Sequence, residues 1–137
     1  MSETLEVLER KRRSLHERLA LVGEFHRGTV SASYRKCGKK NCSCAKSTHR
    51  GHLRYQWTTT GKGNRSRARN LRLGAELEKA SREASNYHEF LRLVGELIAV
   101  NEKICELRPV REIKDEDELE ALKKKQRRQF AAKQRRN

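Results

Sequence analysis

From Phe25 to Ala75 the chain carries thirteen Lys or Arg and no Asp or Glu, so this stretch alone holds +13 of a formal +15. A stretch like that cannot fold by pairing its charges, and it has few apolar residues to bury. It does contain C-G-K-K-N-C-S-C-A-K-S-T-H-R-G-H, which crowds Cys37, Cys42, Cys44, His49 and His52 together. Thiols and imidazoles at that density are the ligands a soft divalent metal takes, and a metal can fold a module that lacks a core. The unbalanced positive charge around it is a reason to bind polyanions, nucleic acid first among them.

Composition narrows the alternatives. Of 137 residues, 34% are hydrophobic, 5% aromatic and 37% charged. A thick globular core is thereby excluded, in favour of helical pairs, metal-stapled modules or partly disordered segments. No apolar run is long enough to span a membrane, and Met1 to Ala20 mixes Glu with Arg in place of a leader's apolar block. The expected compartment is therefore the cytoplasm, with association to a nucleoid compatible with the charge. Thiols stay reduced there, so the four cysteines, split three plus one, read as a metal site and not as disulfides.

The organisation expected is mostly α with a small β insert. Residues 1–27 form an N-terminal helix, 28–72 a basic metal-binding head, 73–108 a long second helix and 109–137 a basic tail helix. In the first segment Leu5, Leu8, Arg12, Leu15, Leu19 and Val22 recur on steps of three and four, with Ser2 as the expected N-cap and Gly23 and Gly28 at the exit. In the third, Leu77, Ala80, Ala84, Tyr87, Leu91, Val94, Ile98, Asn101 and Cys105 keep the same spacing, broadened by Phe90, Leu97 and Ile104. Asn101 would fix the register of that seam, and Pro109 ends the helix. The two helices are expected to fold back on each other as an antiparallel, coiled-coil-like hairpin carrying the head at its tip. At 1.5 Å per residue they span about 33 and about 50 Å, so the longer has seam left over for a second copy or another protein.

Within the head, Thr29 to Arg35 is β-prone, and Leu53 to Thr60 alternates with Leu53, Tyr55, Trp57 and Thr59 on one face. Gly61-Lys62-Gly63-Asn64 signals a turn into a return strand over Arg65 to Leu71, giving a β-hairpin. Period-two alternation puts Arg65, Arg67 and Arg69 on one face of that strand. In the tail, K-D-E-D-E-L-E precedes a basic end containing Lys123, Lys124, Lys125, Arg127 and Arg128, the order that complements a helix dipole. Its apolar face is thin, so it is expected to be exposed or ordered on binding.

Structural zinc takes four ligands in a tetrahedron. Cys37, Cys42 and Cys44 supply three in a C-x4-C-x-C array, with Gly38 permitting the tight turn between them. The neighbouring lysines should lower the thiol pKa values. His52, next to the Leu53 strand that can hold it, is the expected fourth ligand, with mid-loop His49 as the alternative. Cys105 would lie about 40 Å down the long helix and is excluded. A catalytic zinc needs an open position and a nearby general base, and no acidic residue exists in the basic stretch. Zn²⁺ here is expected to be structural.

The tract Y-R-K-C-G-K-K-N-C-S-C, followed by His52-Leu53-Arg54-Tyr55-Gln56-Trp57, then Gly61-Lys62 and an Arg-rich strand, resembles a family of small, functionally uncharacterised prokaryotic proteins. Their signature is roughly Y-R-x-C-G-K-x-x-C-x-C and then H-G-P-Y, and they are often encoded in or near mobile elements. The resemblance covers about Val30 to Leu71 and departs at the H-G-P-Y step, where this chain has His52-Leu53-Arg54-Tyr55 after a longer spacer. It implies a zinc-binding module in a transposon or phage setting, flanked by helices, and brings no activity.

The function expected is a non-enzymatic, zinc-containing protein that binds DNA or RNA mainly through phosphates. Arg35, Lys36, Lys39, Lys40, Lys46, Arg54, Lys62, Arg65, Arg67 and Arg69 would supply the head's contacts. Tyr34, Tyr55 and Trp57 would either stack bases or form the head's small core, and the basic end of the tail would be a second phosphate contact. The alternative is an accessory subunit docking through its helical seam on a larger enzyme such as a transposase or RNA-guided nuclease. No H-E-x-x-H, G-x-S-x-G, P-loop or dinucleotide turn is present, so no enzyme is expected.

Overall fold

The computed structural model describes residues 3–136. Its elements run α1 (Leu5–Leu21), β1 (Thr29–Arg35), β2 (His52–Thr60), β3 (Ser66–Leu71), α2 (Ala75–Leu107) and α3 (Glu116–Arg136), with single 3-10 turns at Ser43–Ala45 and Lys62–Asn64. The chain divides into two compact units, Met1–Cys105 and Glu106–Asn137. Among the described residues there are three α-helices and one small antiparallel sheet. Among the described residues no helix is long and apolar enough to cross a membrane.

Helix α1 starts at Thr4, whose extended backbone and hydroxyl, accepting from the Val7 N–H at 3.3 Å, form the N-cap. Ser2, the residue expected there, lies outside the described residues. Leu8 and Leu15, seven apart, are the buried side chains of α1. Contacts with α2 run in reverse order along the two helices. Glu3 pairs with Lys103 at 3.6 Å, and Arg18 reaches Glu89 and Glu96 at 3.9 Å each. Such half-exposed pairs are largely screened by solvent, so they mark the alignment more than they hold it.

Beyond α1 the chain continues along α2 in extended form. The Asn86 side chain donates to the Glu24 carbonyl at 2.9 Å, and the His26 N–H donates to the Glu83 carbonyl at 3.2 Å. Phe25 stacks on Phe90 with ring centroids 4.8 Å apart, and Tyr87 stands 5.9 Å away. Residues 22–27 thus cover part of the seam that the sequence left vacant above the shorter helix.

The long helix does not bury one continuous stripe. Ala80 and Ala84 are buried near the head and Leu93 and Ile104 alongside α1, whereas Leu91 and Ile98 are 46% and 52% exposed and Cys105 is exposed. At 3.6 residues per turn, the nine residues from Ala84 to Leu93 rotate the helix by half a turn past whole turns. Its head end and its α1 end therefore bury opposite sides. Asn101 does not reach across the seam either; its amide donates to the Leu97 carbonyl of its own helix at 3.0 Å.

The β insert is a three-stranded antiparallel sheet in the order β1-β2-β3 and not a two-stranded hairpin. Thr29–Arg35 adds as an outer strand because a long loop, residues 36–51, returns the chain beside it. The register pairs Val30 with Trp57, Ala32 with Tyr55 and Tyr34 with Leu53, and then Tyr55 with Leu71, Trp57 with Arg69 and Thr59 with Arg67. Directly opposed residues share a face. One face therefore collects Tyr34, Tyr55, Trp57, Arg67 and Arg69. Gly28, buried at φ +140°, allows the chain to enter β1 against this face: a Cβ there would lie 2.3 Å from Trp57 Nε1.

Candidate metal centre and basic face

The loop from β1 to β2 is built from local turns. The Cys42 N–H bonds the Lys39 carbonyl at 3.3 Å, Ala45 N–H the Cys42 carbonyl at 3.0 Å, and His49 N–H the Lys46 carbonyl at 3.0 Å. Lys36 Nζ donates to the Lys46 carbonyl at 3.0 Å and ties the two ends of the loop. This winding turns the sulfurs inward. Cys44 is fully buried, Cys42 half-buried and Cys37 exposed, and His52 opens β2 opposite Arg35.

Cys37, Cys42, Cys44 and His52 come together so that their ligand atoms all lie within 4.8 Å of one another. Cys37 Sγ is 3.4 Å from Cys44 Sγ, and Cys42 Sγ is 3.1 Å from His52 Nε2. A tetrahedral centre with bonds of about 2.0–2.3 Å has edges of roughly 3.5–3.8 Å, so a small inward or outward adjustment of each side chain fits a metal ion. Three thiols and an imidazole are also the donor set of closed structural sites. The group could hold a metal ion. His49 stands outside it, its Nδ1 accepting the Gly51 N–H at 2.9 Å. Cys105, on α2, is not in the group.

The thiols are tuned mainly by backbone. The Lys39 N–H, then the Cys44 thiol, hold the Cys37 pKa below its ordinary value; the Cys44 N–H, then His52, do the same for Cys42. The sequence pointed to lysine ammonium groups for this work, but peptide N–H groups in the tight turn do most of it. The Cys37 N–H also favours a Cys44 thiolate, yet burial and the two neighbouring sulfurs outweigh it and raise Cys44. Two thiols are thus made more acidic than usual and the third less so.

One glycine makes the close approach of the loop's two ends possible. Gly51 is buried at φ +102°, and a Cβ there would fall 2.5 Å from the Arg35 carbonyl carbon. Gly51→Ala combines an unfavourable backbone conformation with a clash against main chain that cannot swing away. We expect it to cost about 3 kcal/mol or more, seen as a lowered unfolding midpoint and weakened metal retention. A variant as stable as the parent would show that Gly51 does not lie this close to the Arg35–Lys36 backbone.

The candidate phosphate contacts divide by location. Arg67 and Arg69 share the aromatic face, with Arg65 just before β3. The Arg69 guanidinium lies over the Trp57 ring at 5.5 Å. Arg54, opposite Ser33, points to the other face with Arg35. Arg35, Lys39, Lys40 and Lys46 are exposed around the loop, while Lys36 is engaged within it. The side chain of Lys62 lies outside the described residues. Lys123, Lys124, Lys125, Arg127 and Arg128 are exposed on α3, Lys123 lying 3.5 Å from Glu120. Arg50, not singled out by spacing, covers the half-exposed Tyr34 ring at 5.8 Å; its only signal in sequence was its place in the acid-free stretch.

A family model described as a domain of unknown function (DUF6788) matches residues 5–82, which take in α1, the entire head and the start of α2. No curated protein and no solved structure matches the chain.

Proposed function

The chain belongs to the family described as a domain of unknown function (DUF6788), and from its own residues we propose a non-enzymatic, zinc-containing nucleic-acid-binding protein. One observation carries this reading. The strand register sets Arg67 and Arg69 on the same sheet face as Tyr55 and Trp57, within a stretch of +13 that holds no carboxylate. Guanidinium groups beside aromatic rings suit a sugar-phosphate backbone with its bases, the first by charge and the second by stacking. Zinc at Cys37, Cys42, Cys44 and His52 would be the structural staple. α1 and α2, as an antiparallel hairpin, would hold the head out, and the basic end of α3 would add a second phosphate contact. The resemblance of the cysteine tract supports a mobile-element or phage setting, and free cysteines suit the cytoplasm.

The exposed Leu91 and Ile98 on α2 favour a second role alongside the first, as an accessory subunit of a larger nucleic-acid-processing enzyme.

Fluorescence anisotropy with labelled DNA and RNA tests the proposal. If head and tail together neutralise about six phosphates, affinity should fall about a thousandfold between roughly 50 and 200 mM salt. Absence of binding at low salt, or binding indifferent to salt, would reject it.

A further inference from the structure

A cleft of about 530 Å³ opens beside the aromatic face, between residues 26–27 and the β2–β3 turn. His26, Arg27, Trp57, Thr59, Arg65 and Arg67 line it, and among the described residues no carboxylate does. Its outer wall is fixed in place. The His26 N–H is tied to the Glu83 carbonyl of α2, and the His26 ring meets Trp57 edge-on at 4.8 Å and 88°. Arg27 is therefore presented from a braced segment and not from a free loop. On the opposite wall Arg65 and Arg67 are exposed and set two residues apart, on the side that Thr59 shares.

A second observation points the same way. Thr59 Oγ1 is buried and has no hydrogen-bond partner, the one such side-chain atom among the described residues. A buried hydroxyl without a partner is unfavourable, and native folds rarely keep one without a use. Thr59 borders a cleft ringed by cations, and its hydroxyl sits just beneath that surface. A rotation of the Thr59 side chain would let its hydroxyl donate to a phosphate or base oxygen entering that space.

We infer that this cleft accepts one unstacked nucleotide of a single strand, with its phosphate between Arg27 and the Arg65–Arg67 pair and its base toward Trp57. The inference rests on the nucleic-acid reading and adds the form of the ligand. The volume is in the range of small-ligand pockets and exceeds what a lone phosphate needs. A duplex presents its phosphates on a convex rod with its bases stacked inside, so it can touch the rim but cannot insert a nucleoside. The cleft thereby makes the protein prefer an unpaired strand.

Trp57 is the only tryptophan in the chain, so its fluorescence reports occupancy of the cleft directly. The full-length, metal-loaded protein is titrated with an oligothymidine of about 12 nucleotides, within the usual single-strand site size. A blunt duplex of the same length, thymidine monophosphate and inorganic phosphate are titrated in parallel. The oligothymidine should quench Trp57 and bind about tenfold tighter than the duplex, the gain from one stacked base. Arg27→Ala with Thr59→Val should cut that preference at least about fivefold, because both groups act inside the cleft and not on the stripe. Equal affinities, or a silent Trp57 with salt-dependent binding of both polymers, overturn the inference and leave the nucleic-acid reading standing. Failure of both polymers to bind at low salt removes both. Monophosphate or inorganic phosphate binding as tightly as the oligomer overturns the strand preference in favour of a small-anion site.

Discussion

Chelation of the proposed zinc should unfold the head and leave α1 and α2 helical. Within residues 28–72 the buried hydrophobic side chains are Cys44 and Leu71, whereas the helices bury Leu8, Leu15, Ala80, Ala84, Leu93 and Ile104. Two small contributions of about 1–3 kcal/mol each cannot order a sheet and a sixteen-residue loop (residues 36–51) against their conformational entropy and the mutual repulsion of twelve cations. A closed site of three thiolates and one imidazole can, since structural zinc contributes about 10–16 kcal/mol to small domains. Elemental analysis should find one zinc per chain. Cys44→Ser, at the fully buried ligand, should reproduce the effect of chelator. Trypsin should then cut rapidly at Lys39, Lys40, Lys46 and Arg50 while the helical circular dichroism is largely retained. A metal-free protein whose loop still resists trypsin would mean that the sheet folds without the ion.

Replacing Arg65, Arg67 and Arg69 together by Ala should weaken nucleic-acid binding about 10²–10³-fold at low salt. It should also lower the slope of log affinity against log salt by about 2.7, since each lost phosphate contact removes about 0.9. The contact of Arg69 with Trp57 does not compete seriously with this role. An exposed cation–π pair contributes about 0.5–1 kcal/mol, and a phosphate oxygen that draws the guanidinium off the ring replaces it with a charge-assisted bond of greater strength. Folding stability should change little or rise, because like charges leave a crowded face. Parallel replacement of Lys123, Lys124 and Lys125 measures the tail separately. An unaltered salt slope in the arginine variant would show that the stripe faces solvent and touches no phosphate.

Much of this was legible in the residues. The apolar spacing from Leu77 to Leu107 marked α2, and Gly61 to Asn64 marked the turn between β2 and β3, because helix period and turn chemistry are local. The ligand set was readable too, since ligand type needs no coordinates. His52 over His49 was argued from its place at the head of a strand, and His52 is the one that the loop brings to the sulfurs. The two-sided burial of α2 was not legible. The same apolar residues serve one continuous seam or two opposed patches, and only the place where α1 ends and residues 22–27 take over decides between them. Arg27 was passed over, because it belongs to no periodic pattern, and Thr59, which alternation placed on the Trp57 face, lines the same cleft only because residues 26–27 pack beside the sheet.

By itself, the sequence determined the charge of the head, the cysteines and histidine that could hold a metal ion, and the alternation along each strand. Alternation says which side chains of one strand share a side, and nothing about which side of the neighbouring strand meets them. That Arg67 stands opposite Thr59 and Arg69 opposite Trp57 is a matter of register, and a slip of one residue would have turned every arginine to the other face. The tertiary structure decided that the cationic stripe and the aromatic strand form one surface, because turn geometry and the close approach at Gly51 fix the three strands in a single register.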